Sequence, residues 1–335
     1  MLDFSKSDNY GFVKPEDFDE ATHEEFQSEY LKVLARRSRR WETLGEISSE
    51  GPGGALASRK LKRFIRKGIP TSQRPKMWMI TSGAEAEKSG HPDEYVLMCE
   101  MTAPKSAAAA IELDLDRTFP DNEYFRDVMA KVTKTQLRQV LSCFAVRHPD
   151  IGYCQGLNYI AALMLLVFKN TEDVFWLMDV TIGKLPEYYH DDMKGLKIDM
   201  LVLRELIKKR DTEIEAVFRK FDVDLILLTS KWMLCWFLET LPIETVFRIW
   251  DCLFYEGPKI LFRVAITLIL RNKQKIVSCK SFAAVADLFQ VITVDKSTVD
   301  CHKFMEDIFS VPGTLSGSEI EKMRTQFAKS YERPL

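Results

Sequence analysis

Two polar side chains stand where helical patterning gives way, and their types restrict the chemistry they could do. Arg117 lies in the segment IELDLDRTFPDN, Ile111 to Asn122, and Gln155 lies in GYCQGLN, Gly152 to Asn158. A guanidinium stays protonated at neutral pH and a carboxamide does not titrate, so neither can serve as a general acid or base. Each can only position a reactant and stabilise charge. Phosphoryl transfer has that requirement, because its transition state spreads charge over the phosphoryl oxygens and catalysis consists mostly of placing a water and neutralising that charge.

The elements around these residues read as helix ends. Ser106 is placed to cap a helix running through Ala107–Ala110, residues of the highest helix propensity, and onward to Arg117, with Pro120 preventing continuation. Asp114 precedes Arg117 by three positions, so the two share a helical face and can pair. Read alone, that pair is an ordinary surface salt bridge of small worth. Asp116 receives no role and reads as solvated. Leu137, Val140, Leu141 and Phe144 follow the i, i+3, i+4, i+7 pattern of a core-facing helix, which ends by His148-Pro149. The chain then passes Gly152 and Gly156 before apolar periodicity resumes near Asn158, which puts Gln155 on a short loop. Its glycines allow positive φ and close approach of backbone to a partner. On composition alone, a glutamine there is a loop hydrogen-bonder. An outgoing and a returning helix can nonetheless bring Gln155, 38 residues after Arg117, back to the same end of a bundle.

As spelled, both segments resemble the two motifs of the TBC domain family of Rab GTPase-activating proteins, IxxDxxR and YxQ. The first reads Ile111, Asp114, Arg117 and the second Tyr153, Gln155, with no motif position lost. Weaker signatures occur in order: RKGIP at Arg66 to Pro70, RPKMW at Arg74 to Trp78, KWMLCWF at Lys231 to Phe237 and RIWDCLFYEG at Arg248 to Gly257. The resemblance covers roughly residues 60–310. Within the family, the short length, the start at Tyr10 to Asp19 and the tail are similar to the growth hormone-regulated TBC protein subgroup.

The resemblance implies an arginine finger at Arg117 and a glutamine finger at Gln155, the latter taking over the task of the Rab's own switch glutamine. Asp114 would orient the guanidinium. Thr118, Tyr153, Gly156 and Asn158 would hold the loop or touch the Rab, although Thr118 and Asn158 could equally be helix caps. The chain lacks G-x-x-x-x-G-K-[ST] and so has no phosphate cradle of its own. No cofactor is expected on this chain: GTP and Mg²⁺ would arrive on a GTP-bound Rab, and the chain would be a catalytic activator rather than a stand-alone enzyme. The alternative is a non-catalytic helical adaptor that uses the same surface only to bind the Rab.

No period-2 strand pattern or fixed-period repeat is present, so the fold class reads as all-α, a two-lobed helical domain. Boundaries follow from breaks in composition: residues 1–56 form an extension with one helix and the linker Glu50-Gly51-Pro52-Gly53-Gly54, residues 57–310 the domain, and 311–335 a helical tail. Glycines and prolines near Gly183 to Gly195 divide the domain into lobes at about 57–185 and 186–310. Trp78 and Trp250 read as core anchors, and Asp251 as a partner for Arg248.

The remaining features exclude more than they assign. A net charge of −2 asks for no nucleic acid, and the basic run Arg59, Lys60, Lys62, Arg63, Arg66, Lys67 has too few aromatics for one. Such a run is usually a solvated face. With Arg36, Arg37, Arg39 and Arg40 it could give transient contact with an anionic membrane. Seven cysteines without a CxxC pair read as reduced thiols of a cytoplasmic protein. The resemblance implies that it could be recruited peripherally to membranes through a Rab. Cys154 reads as a small buried filler. The five histidines are too dispersed for a metal site, and the longest apolar run, Ile160 to Phe168, is shorter than the ~20 residues a membrane span needs.

Overall fold

The helical periodicities of the sequence become helices in the computed structural model, which describes residues 7–8, 10–13, 20–43, 55–126, 129–185, 187–294 and 296–331. The fold is all-α. Among the described residues the β component is limited to two isolated bridges, Ser7 with Val13 and Phe12 with Asn122. The linker Glu50–Gly54, Pro186, most of the Tyr10–Asp19 start and the side chain of Phe26 lie outside the described residues.

The chain forms two units that divide between Gly183 and Lys184. The first takes in α1 (Glu20–Glu42), α2 (Ala55–Lys67) up to Phe64, α3 (Arg74–Ser82), α4 (Ala84–Gly90), α5 (Glu94–Glu100), α6 (Lys105–Leu115), α7 (Ala130–Arg147), α8 (Leu157–Val167) and α9 (Thr171–Ile182). α7 is its hub, packing against α5, α6, α8 and α9. Leu137, Val140, Leu141 and Phe144 are all buried along it. In α8 the run Ile160–Met164 is fully buried, as expected of a helix apolar on every side. Each such Leu or Ile contributes about 1.5–3 kcal/mol through burial. Residues ahead of the expected domain start also belong here: Trp41 of α1 packs edge-on to Phe64 at 5.8 Å and donates its Nε1–H to the Gly68 carbonyl.

The second unit comprises Ile65–Lys67 and the chain from Lys184 onward. It contains α10 (Lys194–Arg210), α11 (Thr212–Lys220), α12 (Leu225–Leu234), α13 (Ile243–Glu256), α14 (Lys259–Arg271), α15 (Lys273–Ser278), α16 (Phe282–Val291), α17 (Lys296–Val299), α18 (Cys301–Ser310) and α19 (Gly317–Tyr331). Side-chain caps start several of them, Asp211 for α11, Asp224 for α12, Ser281 for α16 and Asp300 for α18. α10 is the hub, in contact with α11, α12, α14 and α19. The tail helix α19 is fastened to α10 by a buried ion pair: Arg324 donates Nε–H to Asp199 Oδ1 at 2.7 Å and Nη2–H to Oδ2 at 2.6 Å. Tyr188 donates its hydroxyl to the same Oδ2. Trp78 and Trp250 are both fully buried, and Trp250 Nε1 donates to the Trp236 carbonyl.

Two expectations need correction. The basic run on α2 is only partly solvated: Arg59, Lys60, Arg63 and Lys67 are exposed, but Arg66 makes a bidentate pair with Glu256 at 2.6 and 2.8 Å, its guanidinium 3.9 Å over the Phe309 ring. On α1, Arg37 is buried at 7% exposure, with its guanidinium 5.6 Å over the Tyr30 ring. An arginine's stem and planar head can cover apolar surface, so charge in a sequence does not by itself mark a wet face.

Candidate functional site

The arginine segment begins on α6, whose N-cap is Pro104 and not Ser106. Proline fixes the entry dihedral, and its carbonyl accepts the first helical bond, from Ala108 N–H at 2.9 Å. Ser106 falls inside the first turn. α6 ends at Leu115, so Arg117 stands in the turn that follows, its N–H bonded to the Asp114 carbonyl at 3.2 Å. Thr118 Oγ1 donates to that same carbonyl at 2.6 Å, satisfying an acceptor the helix end leaves open. Phe119 then adopts φ of +48°, a left-handed conformation that is costly for a bulky residue. Its surroundings hold it there: the ring packs against Phe12 at 5.0 Å, Tyr159 at 5.4 Å and Phe125 at 5.5 Å.

The glutamine loop joins α7 to α8. The end of α7 is anchored by Arg147, which donates to Glu94 at 2.5 Å and Asp179 at 3.0 Å and lies 5.0 Å over the Trp176 ring. His148 contacts Asp179 Oδ1 as well, at 2.5 Å. The loop re-enters helix at Gly156, whose φ of +109° a side chain would rarely tolerate. Asn158 Oδ1 accepts the Gly156 N–H at 3.0 Å, so Asn158 steadies the loop from inside the first turn of α8.

Three hydrogen-bonded links tie the two segments together. Asp114, 5% exposed, splits its carboxylate: Oδ1 lies 2.7 Å from Arg117 Nη2, and Oδ2 accepts the Tyr153 hydroxyl at 2.6 Å. Asn158 Nδ2 donates to Thr118 Oγ1 at 2.8 Å, completing a relay from the Asp114 carbonyl to Gly156. Tyr159 donates its hydroxyl to the Arg117 carbonyl at 3.2 Å. Tyr153 packs on Ala103, Ala107 and Ala145, and burial, then the Asp114 carboxylate, push its phenol far above the ordinary range. It stays a hydrogen-bond donor at any physiological pH. The structure thus gathers Asp114, Thr118, Tyr153, Gly156 and Asn158 into one scaffold.

The two candidate groups themselves face outward. The Arg117 side chain is 63% exposed, with Nη2 on Asp114 and Nε donating to the Leu113 carbonyl at 3.1 Å. A guanidinium has five N–H donors, so three stay uncommitted. Gln155 is exposed, between the tethered Tyr153 and Gly156. The arrangement presents a fixed cation and a carboxamide to whatever docks on this surface. Asp116, expected to be solvated, pairs with Lys134 at 2.7 Å, and the ammonium holds its carboxyl below the usual range. Cys154 is half-buried rather than buried.

Sequence reasoning missed Tyr159 and the segment at residues 10–13. Asn122 is fully buried: its Nδ2 donates to the Tyr10 carbonyl, and Glu123 N–H donates to the Gly11 carbonyl at 2.8 Å. Val13 N–H bonds the Asp121 carbonyl at 3.0 Å. Gly11 has φ of +83°, and a Cβ there would stand 2.8 Å from the Tyr124 ring, so only glycine fits. No local signal links Tyr10 to a residue 112 positions later.

Among the described residues, no group of three or more His, Cys, Asp or Glu side chains could hold a metal ion, and no helix is long and apolar enough to cross a membrane. The family model for the Rab-GTPase-TBC domain matches residues 71–277. Growth hormone-regulated TBC protein 1 of Homo sapiens is 42% identical over 318 residues, covering 95% of this chain and 93% of that protein. The Mus musculus protein of the same name is also 42% identical, over 335 residues, with 95% and 92% covered. Among solved structures, the Chlamydomonas flagellar RabGAP TBC domain superposes with a TM-score of 0.76 at 29% identity, covering 92% of this chain and 99% of that one.

Proposed function

The chain belongs to the Rab-GTPase-TBC domain family, and on that premise we propose that it accelerates GTP hydrolysis by a Rab-family GTPase, with Arg117 and Gln155 acting in trans. The observation that carries this reading is the posture of Arg117. A buried carboxylate holds Nη2 and the Leu113 carbonyl holds Nε, while the side chain stays 63% exposed with three of its five donors uncommitted. The same carboxylate accepts the Tyr153 hydroxyl, which ties the arginine to the loop that carries Gln155.

On docking, the GTPase supplies the nucleotide and Mg²⁺. Arg117 neutralises charge that develops on the transferring phosphoryl group, an effect worth ~10³–10⁵ in rate for arginine fingers on related GTPases. Gln155 orients the attacking water through its carboxamide. Asp114 acts through Arg117, lowering the freedom of the guanidinium before docking. Tyr153, Thr118 and Asn158 keep the loop in register with the arginine turn, and Gly156 lets the backbone make that turn. Recruitment to a membrane would follow from the Rab.

The test is a panel of GTP-loaded Rabs with wild-type protein, Arg117→Ala and Gln155→Ala. At least one Rab should hydrolyse GTP faster with wild type, and each variant should lose most of that effect while keeping its fold. Undiminished acceleration by Arg117→Ala would overturn the role given to the arginine. Binding of Rab-GTP without faster hydrolysis would establish the adaptor reading instead.

A further inference from the structure

Two thiols that play no part in the site above touch in the first unit. Cys99, exposed on α5, and Cys143, buried on α7, have their Sγ atoms 3.5 Å apart. Gln139, one turn before Cys143, donates its Nε2–H to Cys99 Sγ at 3.1 Å. Tyr95, one turn before Cys99, carries a buried hydroxyl with no hydrogen bond of good geometry. The cluster therefore joins an accessible sulfur, a donor aimed at that sulfur and an inaccessible sulfur in contact with it.

We propose that Cys99 and Cys143 form a peroxide-sensitive dithiol, with Cys99 as the reacting thiol and Cys143 resolving it to a disulfide within the chain. Hydrogen peroxide is the oxidant. The Cys99 thiolate attacks one peroxide oxygen, the S–O bond forms, the O–O bond breaks, and hydroxide leaves and is protonated to water. Cys99 is then a sulfenic acid. The Cys143 sulfur attacks the Cys99 sulfur, the S–S bond forms and the S–O bond breaks. The departing hydroxide takes the Cys143 proton as a second water. Two thiols and one peroxide thus give one disulfide and two waters, with both sulfurs oxidised and both peroxide oxygens reduced.

The asymmetry of the pair sets the order of events. A buried thiol away from solvent is a poor target for a soluble oxidant, and burial pushes the Cys143 thiol up, keeping it protonated until the sulfenic acid is beside it. The Gln139 Nε2–H bond holds the accessible Cys99 sulfur in place beside Cys143. The sulfurs need to close by about 1.5 Å to reach bonding distance, a movement within the reach of side-chain rotation. A disulfide with one accessible sulfur, that of Cys99, is reducible by exchange at that atom, so the modification is reversible. The ring it closes, from Cys99 to Cys143, contains α6 and the whole arginine turn. The chemistry itself does not depend on the GTPase reading.

The experiment uses the full chain, reduced, freed of reductant and titrated with hydrogen peroxide, then alkylated, digested and mapped by mass spectrometry. A peptide linked through Cys99 and Cys143 should accumulate with peroxide, disappear on adding dithiothreitol and be absent from Cys99→Ser. In Cys143→Ser, a sulfenic acid at Cys99 should be captured by dimedone. Should that buried substitution not fold, Gln139→Leu serves in its place and should form the linked peptide several-fold more slowly. Cys99 and Cys143 that both stay alkylatable while other thiols oxidise would overturn the proposal. So would a disulfide that joins Cys99 to another cysteine or to a second chain.

Discussion

Two aspartates, one in each unit, are built alike and put to opposite uses. Asp114 accepts a tyrosine hydroxyl on one oxygen and an arginine on the other. Asp199 likewise accepts a tyrosine and an arginine, Tyr188 on Oδ2 and Arg324 on both oxygens. They differ in what surrounds the arginine. Arg324 is 10% exposed and bidentate, with its guanidinium 5.8 Å over the Phe262 ring, whereas Arg117 is 63% exposed and gives Asp114 a single nitrogen. Burial raises the Asp199 carboxyl, opposed by Arg324 and Tyr188, and the pair holds only because every polar atom in it has a partner. At Asp114, water can take the place of an absent guanidinium. The same three side chains fasten a helix where they are sealed in and offer a cation where they are open.

That contrast can be broken from either side. The largest effect expected is on rate: Arg117→Ala should lower the stimulated GTP hydrolysis by the Rab by ~10³ or more. Its unfolding free energy in urea should move by only about 1 kcal/mol, because the arginine is 63% exposed and Asp114 keeps its bond from Tyr153. Arg324→Ala should invert the pattern. Leaving Asp199 buried and uncompensated, it should cost about 3–5 kcal/mol by urea titration, with the stimulated rate per folded molecule retained.

Smaller changes sharpen it. Tyr153→Phe removes the hydroxyl that joins Asp114 to the glutamine loop, and should cost about 1–2 kcal/mol of stability. It should also lower the stimulated rate about tenfold, read as a change in kcat with little change in Rab affinity, as expected of a positioning residue. Smallest of all is Asp116→Asn. Lys134 holds the Asp116 carboxyl below its usual range, so any stability from the pair is present above the unfolded carboxylate range and lost as pH falls through the folded value. Asp116 is 85% exposed, so unfolding at pH 7 should be indistinguishable from wild type, and the variant should differ only in a slightly flatter acid limb.

The helices were legible where periodicity was strong. Leu137, Val140, Leu141 and Phe144 mark α7, and Leu261, Val264, Ala265 and Leu268 mark α14, all of them buried. Helix ends were less so, since Ser106 looked like a cap and Pro104 is the cap in fact. A serine is a capping residue only where the preceding backbone is not already committed, and Pro104 commits it. The arginine and glutamine segments could be found from their own spelling, and a two-helix argument could bring them to one end of a bundle. Tyr159, the Asp116–Lys134 pair and the pairing of Arg66 with Glu256 were out of reach. Each depends on a partner set by tertiary packing, between 18 and 190 positions away, which no local propensity encodes.

The pairing of residues 10–13 with Asp121, Asn122 and Glu123 bears on how the protein can be divided. A recombinant fragment begun after the glycine-rich stretch at 51–54 would retain every motif residue and would look complete on a gel or in an alignment. It would still lack Phe12 against the Phe119 ring, and the backbone bonds at Gly11 and Val13 that brace the turn after Arg117. Such a fragment is the wrong reagent for measuring activity, and a weak rate from it would describe the cut rather than the protein.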